Sequence, residues 1–276
     1  TPPPPTHDPF RAVDAEEAPA YFLVVRDGGG EVVRRIQAPT GKGVHRVAWD
    51  LRYPAADPVR LEPSKRADAW GPLPRGPMAA PGRYSVALER RQLGATVQVA
   101  GPLPFEVEPL AATTLTAPDR QALAGFLCQA SALERAALGT SELVGQTLER
   151  VALVTKAIDE STAPDGSLGD EARRIRRELE ELQVELDGDR AVVRRDDPVP
   201  PSLVDRVRYI VDVQWSSTSA PTGTSRRQYE LASQGLAELL ARLRPLIEHD
   251  LPVLERRLDA VAAPWTPGRI PMWPPP

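Results

Sequence analysis

The sequence predicts an all-β part followed by an all-α part: a β-sandwich, then an antiparallel up-down four-helix bundle. Three observations predict it. Short β-prone runs separated by turn residues occupy residues 20–112. From residue 113 onward apolar residues recur at spacings of three and four, the period of a helix with one buried face. The 31 prolines of this 276-residue chain gather mainly in residues 1–19, 54–81 and 263–276, because proline lacks the N–H that a helix interior or a central strand needs.

The β part opens after a Pro-rich, acidic stretch, residues 1–19, that reads as a linker or tail. Residues 21–26 are apolar and β-branched. Asp27-Gly28-Gly29-Gly30 then signals a hairpin into residues 31–37. In residues 44–53, His45, Val47, Trp49, Leu51 and Tyr53 alternate with Arg46, Ala48, Asp50 and Arg52, the period of a half-buried strand. A long Pro-rich loop covers residues 54–81. Pro81-Gly82 turns into a strand over 83–91 with Tyr84, Val86 and Leu88 on one face, and 95–100 and 103–108 supply two more. About six strands without an intervening helix predict a sandwich of immunoglobulin-like (Ig-like) type over residues 20–112.

The α part, residues 113–262, starts at Thr116-Ala117-Pro118-Asp119, with a capping residue, then proline, then an acid in the first turn. Phe126, Ala130, Leu133, Ala137, Thr140, Val144, Leu148, Val151, Thr155 and Ile158 form one stripe after it. Pro164-Asp165-Gly166 is a turn. A second helix over 169–187 carries Ala172, Ile175, Leu179, Leu182 and Leu186. After a Pro-rich connection at 196–201, a third covers 202–214. Beyond a polar loop at 216–225, a fourth reaches 262 and is kinked or split by Pro245 and Pro252. Four such stripes in one chain bury one another most economically as a closed bundle. Residues 263–276 form a Pro/Trp-rich tail, which either packs back on the sandwich or presents an extended ligand.

Composition removes several functions. The net charge is −4, and the arginines of 173–177 are interleaved with the glutamates of 178–181, so this run is a solvated helix face and no nucleic-acid partner is expected. No run of 18 apolar residues occurs, so no membrane span is expected. Cys128, the only cysteine, can form no internal disulfide and reads as an inert buried residue. The chain opens Thr1-Pro2-Pro3 without a signal peptide or initiator methionine, the start expected of a processed protein or a segment of a longer one.

Three blocks carry a family resemblance. Asp27-Gly28-Gly29-Gly30-Glu31-Val32-Val33-Arg34-Arg35 is similar to a D-x-x-G-x-V-V-R hairpin. Gly43-Val44-His45-Arg46-Val47-Ala48-Trp49-Asp50-Leu51-Arg52-Tyr53-Pro54 is similar to G-x-N-R-x-x-W-D-L-R-Y-P. Ala80-Pro81-Gly82-Arg83-Tyr84-Ser85-Val86 is similar to x-P-G-x-Y-T-V. More loosely, Pro200-Pro201-Ser202-Leu203, residues 216–222 and His249-Asp250-Leu251-Pro252-Val253-Leu254 resemble motifs of a helical tail, with Glu255 where asparagine is common. Together these resemble the C-terminal region of bacterial sortilin-like proteins, large secreted chains described as glycosyl hydrolases, in which Asp-box β-propeller repeats precede an Ig-like domain and a helical tail. The resemblance implies secretion or a periplasmic or cell-surface location, and a β-propeller partner in the same or an associated chain. Asp-box repeats are absent from this sequence, so the resemblance brings no catalytic residue to it.

The chemistry that remains is sparse. His7, His45 and His249 lie in separate segments without metal-ligand spacing, so neither a metal site nor a cofactor is expected. Thr40-Gly41-Lys42-Gly43 reads as a tight turn, and Ser141, inside a helical stripe, is no nucleophile. Trp49 reads as core, and Asp50 with Arg52 as an ion pair or turn-capping set. Trp70, Trp215, Trp265 and Trp273 all lie near loops and are the candidate binding surface, as sugar-stacking platforms or as plugs at element ends. The expectation is a non-catalytic structural and interaction module. The alternatives are a carbohydrate-binding accessory module of a glycoside hydrolase, and a glycosidase with its site at the sandwich–bundle junction, for which the 38 acidic residues offer paired carboxylates.

Overall fold

The computed structural model describes residues 18–59, 61, 75–109, 115–161, 166–189, 192, 195, 199–215, 217, 219–271 and 273. Trp70, His7, most of the N-terminal stretch and Pro164-Asp165 lie outside these residues. The described residues divide into two compact units. One holds those up to 55 and from 75 to 124; the other holds 56–59, 61 and those from 125 on.

The first unit is built on one four-stranded antiparallel sheet. The strands are β1 (Ala20–Asp27), β2 (Val32–Ala38), β3 (Gly82–Gln92) and β4 (Ala95–Val107), in the order β2-β1-β3-β4. The β1–β2 turn forms as its glycines dictate: Asp27 Oδ1 accepts the N–H groups of Gly29 and Glu31, and Gly30 takes a φ of 87° that a side chain would oppose. The two strands expected over 95–100 and 103–108 are one, β4. Its pairing with β3 shifts register near Leu88, and a bulge absorbs the irregularity that reads as a break.

Residues 44–53 are not a strand, which corrects the sequence expectation, and no second sheet forms among the described residues. Leu51 has a φ of 57°, outside the extended region, and Asp50 Oδ1 accepts the Arg52 N–H in a local turn. The only ladder contact is an isolated bridge from Arg52 to Met78. The alternation nevertheless has a physical meaning. This segment lies as a flap on the sheet, with Trp49 against Tyr84 (ring centroids 5.5 Å apart) and Phe105 (6.2 Å), beside Val25 and Val33. The flap is tied down by Arg34 donating to Tyr53 O (3.1 Å), Arg52 donating to Gly76 O (3.0 Å), and the Tyr53 and Ala79 N–H groups donating to Pro77 and Leu51 carbonyls.

The second unit carries the helices, apart from the first eight residues of the first one, which belong to the first unit. The helices are α1 (Ala117–Asp159), α2 (Gly166–Asp187), α3 (Leu203–Gln214), α4 (Gly223–Pro245), a π-helical turn (Leu246–Asp250) and α5 (Leu251–Ala260). Their starts follow from sequence: Thr116 and Asp119 bond at the head of α1, Ser202 and Asp205 form a reciprocal capping box for α3, and Thr222 caps α4. The split expected at Pro245 and Pro252 occurs between them. Pro252 donates no N–H and its ring would crowd the carbonyl four residues back, so the ladder widens and Leu251 N–H reaches Leu246 O. The apolar stripes are the interior: Val144, Val151, Ile175, Leu179, Leu239, Leu243 and Leu254 belong to one hydrophobic core.

Cross-helix contacts give the directions. Ser167 meets Arg257, Arg174 meets Asp250 and Glu185 meets Arg242, so α2 runs antiparallel to α4–α5. Arg206 meets Gln228 and Gln214 meets Ser225, so α3 is also antiparallel to α4. Phe126 stacks edge-on against Tyr229, and Arg150 pairs with Glu255, so α1 runs parallel to α4–α5. Strict up-down alternation is therefore not what the contacts give. α2 and α3 point the same way and cover successive stretches of the α4–α5 rod. Gly188, just past α2, has a φ of 87° and lies beside Ser202, so the connection leaves and returns to one place.

Ile175, Leu179 and Leu182 of α2 have essentially no exposed surface. Leu179→Ala should therefore cost about 3 kcal/mol of unfolding free energy, measurable as a lowered urea midpoint with an unchanged slope.

Candidate functional site

The four tryptophans of the predicted surface do not share one fate. Trp70 lies outside the described residues. Trp215 is buried, 5% exposed, at the end of α3, which corrects its place in that surface. Trp265 and Trp273 are exposed, at 58% and 89%. The tail that bears them corrects another expectation, since residues 263–271 fold onto their own helices. Arg269, its side chain almost wholly buried, bonds Asp259 of α5 and donates to Pro264 O at 2.7 Å. Trp265 Nε1 donates to Arg269 O at 2.8 Å, which fixes the indole while its ring faces solvent. Pro267-Gly268 makes the turn, and Gly268 lies under the guanidinium of Arg150, which grips the buried Glu255 carboxylate with two bonds of 2.5 and 2.6 Å. Glu255, where the resembling motif has asparagine, is thus half of an ion pair joining α1 to α5.

A second feature of the helical unit was not legible in the sequence. One carboxylate oxygen of Glu134, on α1, is buried without a hydrogen-bond partner. Burial first, then the charges of Asp57 and Asp212, push its pKa up to about 7, against the pull of Arg135 and Arg208. Residues 56–59 of the long loop belong to this unit, and Ala56 there is buried. Nothing in the local sequence of Glu134 marks it; the effect comes from a loop about 75 positions away arriving beside it.

The sheet unit contributes a groove of about 410 Å³ lined by Tyr21, Leu23, Leu88, Pro39, His45 and Val47. Tyr21 and Leu23 share a face of β1, Leu88 pairs with Leu23 across β3, and the flap supplies His45 and Val47. The His45 ring is held by a 2.8 Å contact between Nε2 and the Gly41 carbonyl, which makes it part of the wall. On the opposite face Glu89 is buried between Arg26 (3.4 Å) and Arg35 (3.0 Å), and Arg35 and Arg91 lie over the Phe22 ring.

No family model, curated protein or solved structure matches this chain. The site must therefore be read from its own geometry. His45 and His249 belong to different units, and His249 donates to Asp250, whose carboxyl is held below the usual range by that bond and by Arg174. No cluster of three metal-ligating side chains occurs among the described residues, and no described helix is long and apolar enough to cross a membrane. Trp49 donates from Nε1 to Arg52 O, and Asp50 caps the Arg52 N–H, so the W-D-L-R-Y-P block acts as the turn and anchor of the flap. Cys128 is exposed on α1, which corrects the expectation of a buried thiol: its position falls between the buried Leu127 and Ala130 but on the solvent side.

Two outcomes follow. Glu134 has a folded pKa raised from 4.5 to about 7, so its burden on stability is absent below pH 4.5, develops between the two values, and is complete above 7. Glu134→Gln should match the parent in urea denaturation at pH 4 and exceed it at pH 8, by on the order of 1 kcal/mol once solvent screening is allowed for. Gly268 has a φ of 98°, and a Cβ there would sit 2.7 Å from the Arg150 guanidinium. Gly268→Ala should lower the melting temperature, at a cost of about 2 kcal/mol, while Gly166→Ala, with open space around it, should not.

Proposed function

We propose that this chain is a non-catalytic structural and interaction module, the C-terminal part of, or a companion to, a secreted sortilin-like propeller protein. The observation that carries this reading is the way Trp265 is held. A buried arginine, a glycine turn and an indole hydrogen bond order the segment, yet they leave the ring 58% exposed. Ordering a large aromatic side chain in solvent lowers the entropy lost when a partner covers it, which is what a docking anchor requires. Ile270 and Trp273 beside it in sequence are also exposed.

The motif resemblance supports the same reading, because its most specific block builds the flap over the sheet instead of a reactive group. The Ig-like sandwich belongs to this proposal: one antiparallel sheet whose core is closed by Trp49 of a covering segment is the arrangement of half such a domain. The closed four-helix bundle belongs to it as well, supported by the single core that α1 to α5 share. A second reading, carbohydrate binding, is favoured by the exposure of both Trp265 and Trp273, whose faces could stack on sugar rings.

The test is binding between the purified full chain and an Asp-box propeller of a sortilin-like protein, followed by calorimetry. Association is expected, and Trp265→Ala should weaken it about tenfold at unchanged melting temperature. Absence of association, or glycoside hydrolysis by this chain alone, would overturn the proposal; a glycan array bound through Trp265 would transfer it to the second reading.

A further inference from the structure

The sheet face that carries the groove is covered over only part of its area. Phe105, Tyr84 and Val25 lie under the flap at one end. The same face continues across β3 onto β4: register and alternation place Val25, Val86 and Leu103 in the row at the flap end, Leu23, Leu88 and Ala100 in the next, and Tyr21, Arg90 and Val97 beyond it. Val97 and Leu103 are 52% and 66% exposed. The apolar surface therefore runs from the groove wall at Pro39 and Val47 to the edge strand. Four strands at about 4.8 Å spacing make it roughly 15 Å wide, the span of four or five extended residues.

Its charge is one-sided. Lys42 follows the groove-lining Gly41 and is exposed, and Arg90 stands exposed beside Tyr21 in the same row. The acidic residue of this stretch of β3, Glu89, faces the other way and is already paired with Arg26 and Arg35. Among the described residues 18–55 and 75–109 there are ten arginines and lysines and six aspartates and glutamates, although the whole chain is net negative. An apolar trough flanked by Lys42 and Arg90, which have no carboxylate partner among the described residues, fits a ligand with apolar side chains to fill it and carboxylates to meet those cations.

We propose that this face receives an extended segment of another protein in which acidic and apolar side chains alternate, laid across the strands from the groove to β4. A segment fits better than a small amphiphile because the apolar surface outruns the groove. The alternation of a strand directs every second side chain into the trough and the others toward its rim. This surface is independent of Trp265, so the two proposals stand or fall separately.

The experiment titrates the full chain into a fluorescein-labelled octapeptide of alternating leucine and glutamate, read by anisotropy. The companions are leucine–lysine and serine–glutamate octapeptides and unlabelled decanoate as competitor. Saturable binding of the leucine–glutamate peptide alone is expected. The double variant Lys42→Glu/Arg90→Glu, at exposed positions, should weaken it by about tenfold or more and admit the leucine–lysine peptide. Val97→Asp should weaken it as well, and Trp265→Ala should leave it unchanged. Equal binding of both leucine peptides, no saturation by about 1 mM, insensitivity to the charge reversal, or binding of decanoate without the peptide would each overturn the proposal.

Discussion

The helical unit depends on the apolar seam of α2. Leu168, Ala172, Ile175, Leu179, Leu182 and Leu186 are all buried, and they belong to the core that joins this helix to α1 and to the α4–α5 rod. Each such leucine or isoleucine removes enough apolar surface from water to contribute about 1.5–3 kcal/mol. The polar contacts at its flanks are directional rather than strong. Glu185 with Arg242 and Arg257 with Ser167 are exposed and add little free energy, but they fix which way α2 faces its neighbours. The exception is Arg150 with Glu255, where burial makes an unpaired partner costly and so couples α1, α5 and the turn at Gly268 into one arrangement.

The same division of labour recurs in the sheet unit. Trp49, Tyr84 and Phe105 form the apolar contact, with Tyr84 and Phe105 stacked at 5.8 Å, and hydrogen bonds from Arg34 and Arg52 then set the path of the flap above it. The flap does the work expected of a second sheet at one end of the face only. That incomplete cover is the origin of the groove and of the exposed apolar row on β4. In both units exposed apolar side chains lie where a covering segment ends: the sheet face beyond the flap, and the tail beyond Arg269.

Much of the helical architecture was legible because a stripe repeated at three and four residues has only one low-energy use in water. The buried set of α2 contains the predicted one and adds Leu168, and the proline pair marks where α4 gives way to α5. The strand reading of 44–53 fails for a reason the sequence contains only in part. Alternation reports which side chains point inward, whereas a strand also needs a partner for its backbone, and Leu51 with the Asp50 turn removes that option. Trp215 and Trp265 both adjoin helix ends and look alike in sequence; one is covered and the other is not, because Arg269 reaches back to Asp259 and turns the second indole outward.

What the sequence determined by itself is therefore local: where each helix starts, which face of each element is apolar, and where glycine must turn the chain. These follow from periodicity, capping and φ preferences, which act over a few residues. Tertiary structure alone decided that α2 and α3 run the same way, that Glu134 meets Asp57 and Asp212, and that part of one sheet face stays open. Each of these depends on groups far apart in the chain arriving at one place. Burial and charge are properties of that place, and no window of sequence contains it.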